Sequence, residues 1–211
     1  VKSIEAEDVA KLSTTQVAAL TTAQVAALTT AQAAVITSAQ VGALSTAQVA
    51  ALVTADLAAM STTAVAALSA EQAAALTTAQ VVGLTTAQAA VLTDAAVGAL
   101  STAQAAAMRT ADLAALSTSA VQALTTAAVA NLSTAQISKL TTDQVAALTV
   151  GQVSELTAAQ VTGMGTAQVA ALTSDQLGAM TTAQTVGMTT AQVAALSTAQ
   201  VSQLTAANVA V

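Results

Sequence analysis

The stretch Leu44-Ser45-Thr46-Ala47-Gln48-Val49 contains a complete signal for the start of a helix, and it decides the fold. Ser45 can cap the amide of the third helical residue, and Gln48, which occupies that position, can reach back to the amide of Ser45. This arrangement is a capping box, and Leu44 and Val49 stand beside it at the positions of a hydrophobic staple. The same box recurs at Thr21–Gln24, Ser133–Gln136 and Ser197–Gln200.

The signal belongs to an eight-residue repeat that runs along the chain without insertion or deletion. Every eighth position from Ile4 to Leu204 is apolar, with nineteen Leu, five Met and two Ile. A second register, from Val1 to Val209, is mostly Val, and the residue before it is Gln in eighteen of twenty-six cases. The consensus is therefore L-[ST]-T-A-Q-V-A-A, and a strict period of this kind indicates a repeat architecture.

Three shapes can be compared with this period. In one long helix, eight residues give a drift of ~80° per repeat, so the apolar positions would spiral around the helix. In a β-solenoid, the Leu and Val positions would point to opposite faces, and Ala and Gln are poor strand residues. A helix restarted every octad is too short to be stable alone and must be stacked on neighbours. The repeat thus predicts an all-α solenoid of one- to two-turn helices, one per octad, with both apolar registers inside and either two or three octads per coil.

Polarity divides the chain into two predicted parts. Glu5, Glu7 and Asp8 lie close to Lys2 and Lys11 in the first octads, which predicts a polar N-terminal capping repeat at residues 1–12, as arrays need. Residues 13–211 form the uninterrupted octapeptide-repeat solenoid, and its last octad, from Thr205, shows no such cap. Because the chain starts at Val1 and stops in mid-repeat, we expect a processed or excised piece of a longer protein.

Composition excludes most kinds of chemistry. The 211 residues include no His, Cys, Phe, Trp, Tyr or Pro, and the net charge is −6. Without His and Cys we expect no zinc site of the usual kind and no activated nucleophile, hence no metal, no cofactor, no catalytic residue and no small-molecule substrate. Four dispersed basic residues argue against nucleic-acid binding. Polar residues interrupt every apolar stretch before the ~18 residues that a membrane span needs.

Three polar registers remain to be interpreted. Thr in the second position after Leu should lie in the exposed first turn, as a tolerated small residue or as a regular face that binds something periodic. Acids in the first turns, such as Asp56 and Asp112, are explained by the helix dipole. Gln is interpreted as a cap, so Gln48→Ala should cost at most about 1 kcal/mol. The candidate interaction face comprises Thr22, Thr30, Thr46, Thr54, Thr78 and Thr86.

The run LTTAQVAALTTAQ from Leu20, and LSTAQ at Leu44, Leu132 and Leu196, resembles the short Ala/Thr-rich octapeptide repeats of large bacterial secreted or surface proteins, which are often adhesin-like. The resemblance implies a non-enzymatic spacer, stalk or self-assembling array, outside the cell or on its surface, that self-associates or continues into further repeats. The alternative is a binding module whose threonine face recognises a periodic surface such as ice. A third reading, a protein-binding scaffold, lacks the aromatic and Arg anchors typical of binding interfaces.

Overall fold

The structure, a computed structural model, describes residues 4–204. All regular elements in that part of the chain are α-helices, twenty-five in number and four to six residues long. The first thirteen are α1 (Ala6–Lys11), α2 (Thr14–Ala18), α3 (Thr22–Ala26), α4 (Thr30–Ala34), α5 (Ser38–Ala43), α6 (Thr46–Ala51), α7 (Thr54–Ala59), α8 (Thr62–Ala66), α9 (Ala70–Ala74), α10 (Thr78–Gly83), α11 (Thr86–Ala89), α12 (Asp94–Gly98) and α13 (Thr102–Ala107). The others are α14 (Thr110–Ala115), α15 (Thr118–Ala123), α16 (Thr126–Ala130), α17 (Thr134–Ile137), α18 (Thr142–Ala147), α19 (Val150–Ser154), α20 (Ala158–Thr162), α21 (Thr166–Ala170), α22 (Ser174–Gly178), α23 (Thr182–Val186), α24 (Thr190–Ala194) and α25 (Thr198–Gln203).

Most helices start at the capping box that the sequence predicts, while α8, α12, α15 and α16, which have Ala at the third helical position, keep only the bond to the cap side chain. In α6 the Ser45 hydroxyl accepts a hydrogen bond from the backbone amide of Gln48 at 3.2 Å. The side-chain Oε1 of Gln48 in turn accepts one from the backbone amide of Ser45 at 2.7 Å. Where the cap position holds Val53 or Arg109, no side-chain cap bond forms. With or without the complete box, each described octad starts one helix at the same position of the repeat.

The corner between two helices consists of extended residues. Leu44 has a ψ of 139° and Ser45 a ψ of 160°, so the chain leaves α5 and enters α6 in β conformation. Between residues 4 and 204 no residue has a positive φ, and none of these corners needs glycine.

The two apolar registers form one continuous core, as predicted. Val49 and Leu57 are completely buried, and Leu52 is nearly so. This core extends from Val9 to Met188. It is the support that helices of one or two turns require, since so short a helix is unstable in isolation. The all-α solenoid is thus confirmed.

The coil is longer than either value considered from the sequence. Each helix packs against the helix three positions further along, as in the pairs α4·α7 and α12·α15. Most helices are also hydrogen-bonded to the helix four positions further along. In α6, for example, the Gln48 side chain donates to the Leu20 carbonyl, 28 residues earlier and just before α3 begins, and to the Val17 carbonyl in α2. A helix therefore sits over the junction of two helices in the coil below. One coil takes about 28 residues, or about three and a half octads, rather than two or three.

The first octads form α1, whose cap residue Glu5 makes no side-chain cap bond. Lys11 pairs with Asp8 at 3.1 Å on the exposed surface. That this segment acts as a capping repeat stays a prediction. The octad from Thr205, expected to lack a cap, lies outside the described residues.

Candidate functional site

The six candidate threonines are all first residues of helices. Five are exposed, and Thr54 is half-buried because the next coil covers it. A Cβ atom at Gly83 would lie 2.0 Å from the Thr54 Cγ2, so the absence of a side chain at Gly83 allows this contact. The Thr30 hydroxyl donates to the Asp56 Oδ1 at 3.1 Å, and the Thr86 hydroxyl donates to the Asp112 Oδ1 at 2.8 Å.

The coil length distributes these threonines around the solenoid. With about three and a half octads per coil, equivalent residues face the same direction after two coils, or about 56 residues. Thr22 and Thr78 are separated by that interval, and so are Thr30 and Thr86. The two threonines of each pair therefore face the same direction, whereas Thr46 and Thr54 face other directions. Whether any of these directions binds a ligand stays a prediction.

The most regular polar feature is a ladder of glutamines, all of them buried except Gln200 at its C-terminal end. The Gln48 side chain is 3% exposed and uses both ends of its amide. Its Oε1 closes the capping box, while its Nε2 donates to the carbonyls of Leu20 at 2.6 Å and Val17 at 3.1 Å in the preceding coil. We call this set the glutamine ladder: Gln32, Gln40, Gln48, Gln72, Gln80, Gln88, Gln104, Gln136, Gln144, Gln152, Gln160, Gln168, Gln176, Gln184, Gln192 and Gln200.

The glutamine ladder supplies hydrogen-bond donors to carbonyl groups that the short helices leave without a partner. The last four carbonyls of a helix have no partner within the helix, so in a helix of five residues almost every carbonyl is in that position. In a stacked coil, water cannot reach all of them, and a buried polar group without a hydrogen bond is costly. The glutamine amide supplies the missing donor from the next coil. The sequence predicts the cap but not this second contact, because its partner is 28 to 31 residues away. The cost of at most about 1 kcal/mol expected for Gln48→Ala therefore covers the cap alone and leaves out the bonds to the preceding coil.

The ladder is incomplete at some positions and at the N-terminal end. Ala64, Ala96, Ala120 and Ala128 occupy its register without a polar side chain, and Asp56 and Asp112 place a carboxylate there. Gln16 and Gln24 close their capping boxes, but their Nε2 atoms make no hydrogen bond with any residue from 4 to 204, because no coil lies beneath them in that range.

The two ends of the described solenoid expose parts of its core. At the C-terminal end, Val193 and Val201 of the core register are 41% and 45% exposed. At the N-terminal end, an apolar cavity of about 20 Å³ is lined by residues that include Val9, Leu12 and Leu20. A cavity of this size has room for roughly one water molecule and none for a substrate.

Charged groups form few contacts. Hydrogen bonding to Asp112, together with its negative charge, raises the pKa of Arg109. The backbone amide of Glu71 and the Ser69 hydroxyl, which donates at 2.9 Å, lower the pKa of Glu71. Among residues 4–204, no three or more acidic, His or Cys side chains lie close enough together to hold a metal ion. No helix in this range is long and apolar enough to cross a bilayer.

The fold and the ladder define a class: an all-α solenoid built from octapeptides, in which each octad is one capped helix. A family profile described as the ALTTAQ repeat matches residues 1–38, 49–86, 105–142, 129–158, 151–182 and 174–206. The chain therefore belongs to the ALTTAQ repeat family, as its own LTTAQ motifs indicate. A comparison with curated proteins finds no match.

Proposed function

We propose that the chain is a non-enzymatic structural or adhesive repeat module, a spacer or stalk of a bacterial extracellular protein. The observation that carries the proposal is the glutamine ladder. It repeats one set of contacts from coil to coil, so that the same interaction supports each coil on the one before it. In such an array, the folding free energy comes largely from identical contacts between neighbouring repeats, and the length of the array follows from the number of repeats.

The uniform surface also supports a structural role. A specific ligand site needs a concave pocket with a few distinct polar groups that converge on one point. In this chain most octads present the same Thr and Ala at the same surface positions. What such a surface offers is extent and regularity, which suit a spacer or an adhesive array.

We further propose that the ends carry self-association or continuation into further repeats. Gln16 and Gln24 offer amide donors that have no acceptor among the described residues, and Val193 and Val201 expose core-register side chains at the other end. A second copy stacked end to end, or the next coil of a longer chain, would pair donors with carbonyls and cover the valines. A head-to-tail contact of this type extends into a filament when it does not close.

Light scattering across a concentration series tests this proposal with two matched variants. Val201→Glu, at the end, should abolish concentration-dependent growth in mass, because it buries a charge in the stacked interface. Val150→Glu is the control: Val150 is 44% exposed, nearly the same as the 45% of Val201, but it lies on the side of the solenoid. A monomer at every concentration, or equal effects of both variants, would contradict end-to-end association.

A second candidate is recognition of a periodic surface such as ice by the exposed threonines. It is favoured by the position of Thr at the first residue of most helices, five of the six candidates being exposed. The spacing of the helices argues against it. Stacked helices repeat at ~8–10 Å, whereas strands repeat at ~4.8 Å, so strands allow a denser array of hydroxyl groups than these helices do.

A further inference from the structure

Two octads place a buried carboxylate in the glutamine ladder. Asp56 is 3% exposed and Asp112 is 1% exposed, although each occupies the register of the bridging glutamine. The two octads share a second departure, because their cap residues, Val53 and Arg109, are not Ser or Thr. They can therefore be compared atom by atom.

At Asp112 both carboxylate oxygens have partners. Oδ1 accepts from the Thr86 hydroxyl at 2.8 Å, and Oδ2 accepts from the Arg109 Nε at 2.7 Å. The Arg109 Nη2 also donates to the Leu84 carbonyl in the preceding coil. Leu84 precedes Asp112 by 28 residues, the interval between a ladder glutamine and the Leu carbonyl that it binds. The guanidinium group thus replaces the glutamine amide and neutralises the buried carboxylate.

At Asp56 the cationic part of this arrangement is missing. Oδ1 accepts from the Thr30 hydroxyl at 3.1 Å, as its counterpart does from Thr86. Oδ2, whose counterpart binds Arg109, is buried and has no hydrogen-bond partner. The Leu28 carbonyl, 28 residues before Asp56, accepts no hydrogen bond from any residue between 4 and 204. Val53 stands where Arg109 stands in the other octad.

We propose that the Asp56 Oδ2 and the Leu28 carbonyl form a binding site for a guanidinium group. Both groups are acceptors only, so the ligand must donate at least two hydrogen bonds, and the buried carboxylate favours a positive charge. A planar guanidinium meets both requirements, and Arg109 shows that one fits the equivalent position. Val53, which stands at the Arg109 position, is 47% exposed, so the buried Asp56 Oδ2 lies beneath a side chain at the surface. This inference is independent of the proposed structural role.

The test is a thermal unfolding series of the full chain with methylguanidinium chloride at low-millimolar concentrations. Sodium chloride at matched ionic strength controls for screening. At about ten times the dissociation constant, the expected rise in Tm is roughly 3–6 °C. Titration calorimetry with the same salt gives a second readout that does not depend on unfolding. A parallel series with N-acetyl-arginine amide distinguishes a free cation from an arginine side chain: a response to methylguanidinium alone assigns the site to small cations, and a response to both extends it to arginine side chains.

Three variants make the test specific. Asp56→Gln restores the ladder residue and should start at a higher Tm with no response to methylguanidinium. Val53→Arg supplies the group within the chain, as Arg109 does, and should also be unresponsive. Asp143→Asn removes an exposed carboxylate elsewhere and should respond like the unmodified chain. No heat of binding and no shift in Tm for the unmodified chain, or an equal shift in Asp56→Gln, would overturn the proposal.

Discussion

The Gln48 side-chain amide donates to the Leu20 carbonyl at 2.6 Å across 28 residues of sequence. The same glutamine closes the capping box of its own helix through the other end of its amide. One side chain thus joins the start of a helix to the end of a helix in the coil below. We expect the free energy of unfolding to depend on both contacts. Their separate contributions can be measured by comparison with a glutamine that makes only the capping contact.

The substitutions Gln144→Ala and Gln16→Ala make this comparison between a glutamine with both contacts and one with the capping contact alone. Gln144 loses its cap contact and its bonds to the carbonyls of Leu113 and Leu116, whereas Gln16 loses only its cap contact. We expect a loss of at most about 1 kcal/mol for Gln16→Ala, and about 1–3 kcal/mol more for Gln144→Ala, because buried carbonyls lose their donor. Urea unfolding gives both values. Equal losses would mean that the bond between coils contributes nothing.

The buried leucines of the core should contribute more to stability than any residue on the surface. Leu124 and Leu148 are 3% and 4% exposed in the continuous core. Truncation of either to Ala should lower the free energy of unfolding by ~2–5 kcal/mol, with the low end expected if the small neighbouring residues collapse into the cavity. Val150→Ala, on the exposed side, is the control and should change it little. Similar losses for core and control would show that the core has been misplaced.

Two glycines should respond to Ala in opposite directions. A Cβ at Gly42 meets nothing within 4 Å, so Gly42→Ala should stabilise the protein by about 0.5–1 kcal/mol through helix propensity. A Cβ at Gly83 would overlap the Thr54 methyl, so Gly83→Ala should destabilise it. The double variant Gly83→Ala with Thr54→Ser removes that methyl and should recover the loss. Additive effects of the two changes in a double-mutant cycle would exclude the contact.

Glu71 gives a dependence of stability on pH. Its pKa in the folded protein is lowered from 4.5, so the ionised form favours folding. The contribution should be fully present above pH 4.5 and disappear as the pH falls through the lowered pKa. Tm measured against pH for the unmodified chain and for Glu71→Gln should therefore converge in acid. Parallel curves would contradict this assignment.

The threonine face has a direct assay. Ice-shaping and thermal-hysteresis measurements should show no activity if the chain is only a spacer. Activity that disappears when Thr22 and Thr78, or Thr30 and Thr86, become bulky charged residues, with the circular dichroism spectrum unchanged, would favour the binding module. The pairs are chosen because each lies about two coils apart and faces one direction.

Sequence alone predicted the elements of this protein. The signal Ser45 to Gln48 is local, because a capping box involves atoms three residues apart, so its eight-residue period fixes one helix per octad. The two apolar registers likewise identified the buried faces, including Val49 and Leu52. The family motif was also visible, since LTTAQ is written in the chain itself.

Only the tertiary structure decided how the helices stack. The octads are nearly alike, so no pattern in the sequence distinguishes two, three or three and a half octads per coil. That number depends on the angle at each Leu–Ser corner and on the packing of one helix over the junction of two others. The partner of Gln48, the half-burial of Thr54 and the burial of Asp56 beneath Thr30 all follow from that packing, because each depends on a contact between residues 26 to 31 positions apart.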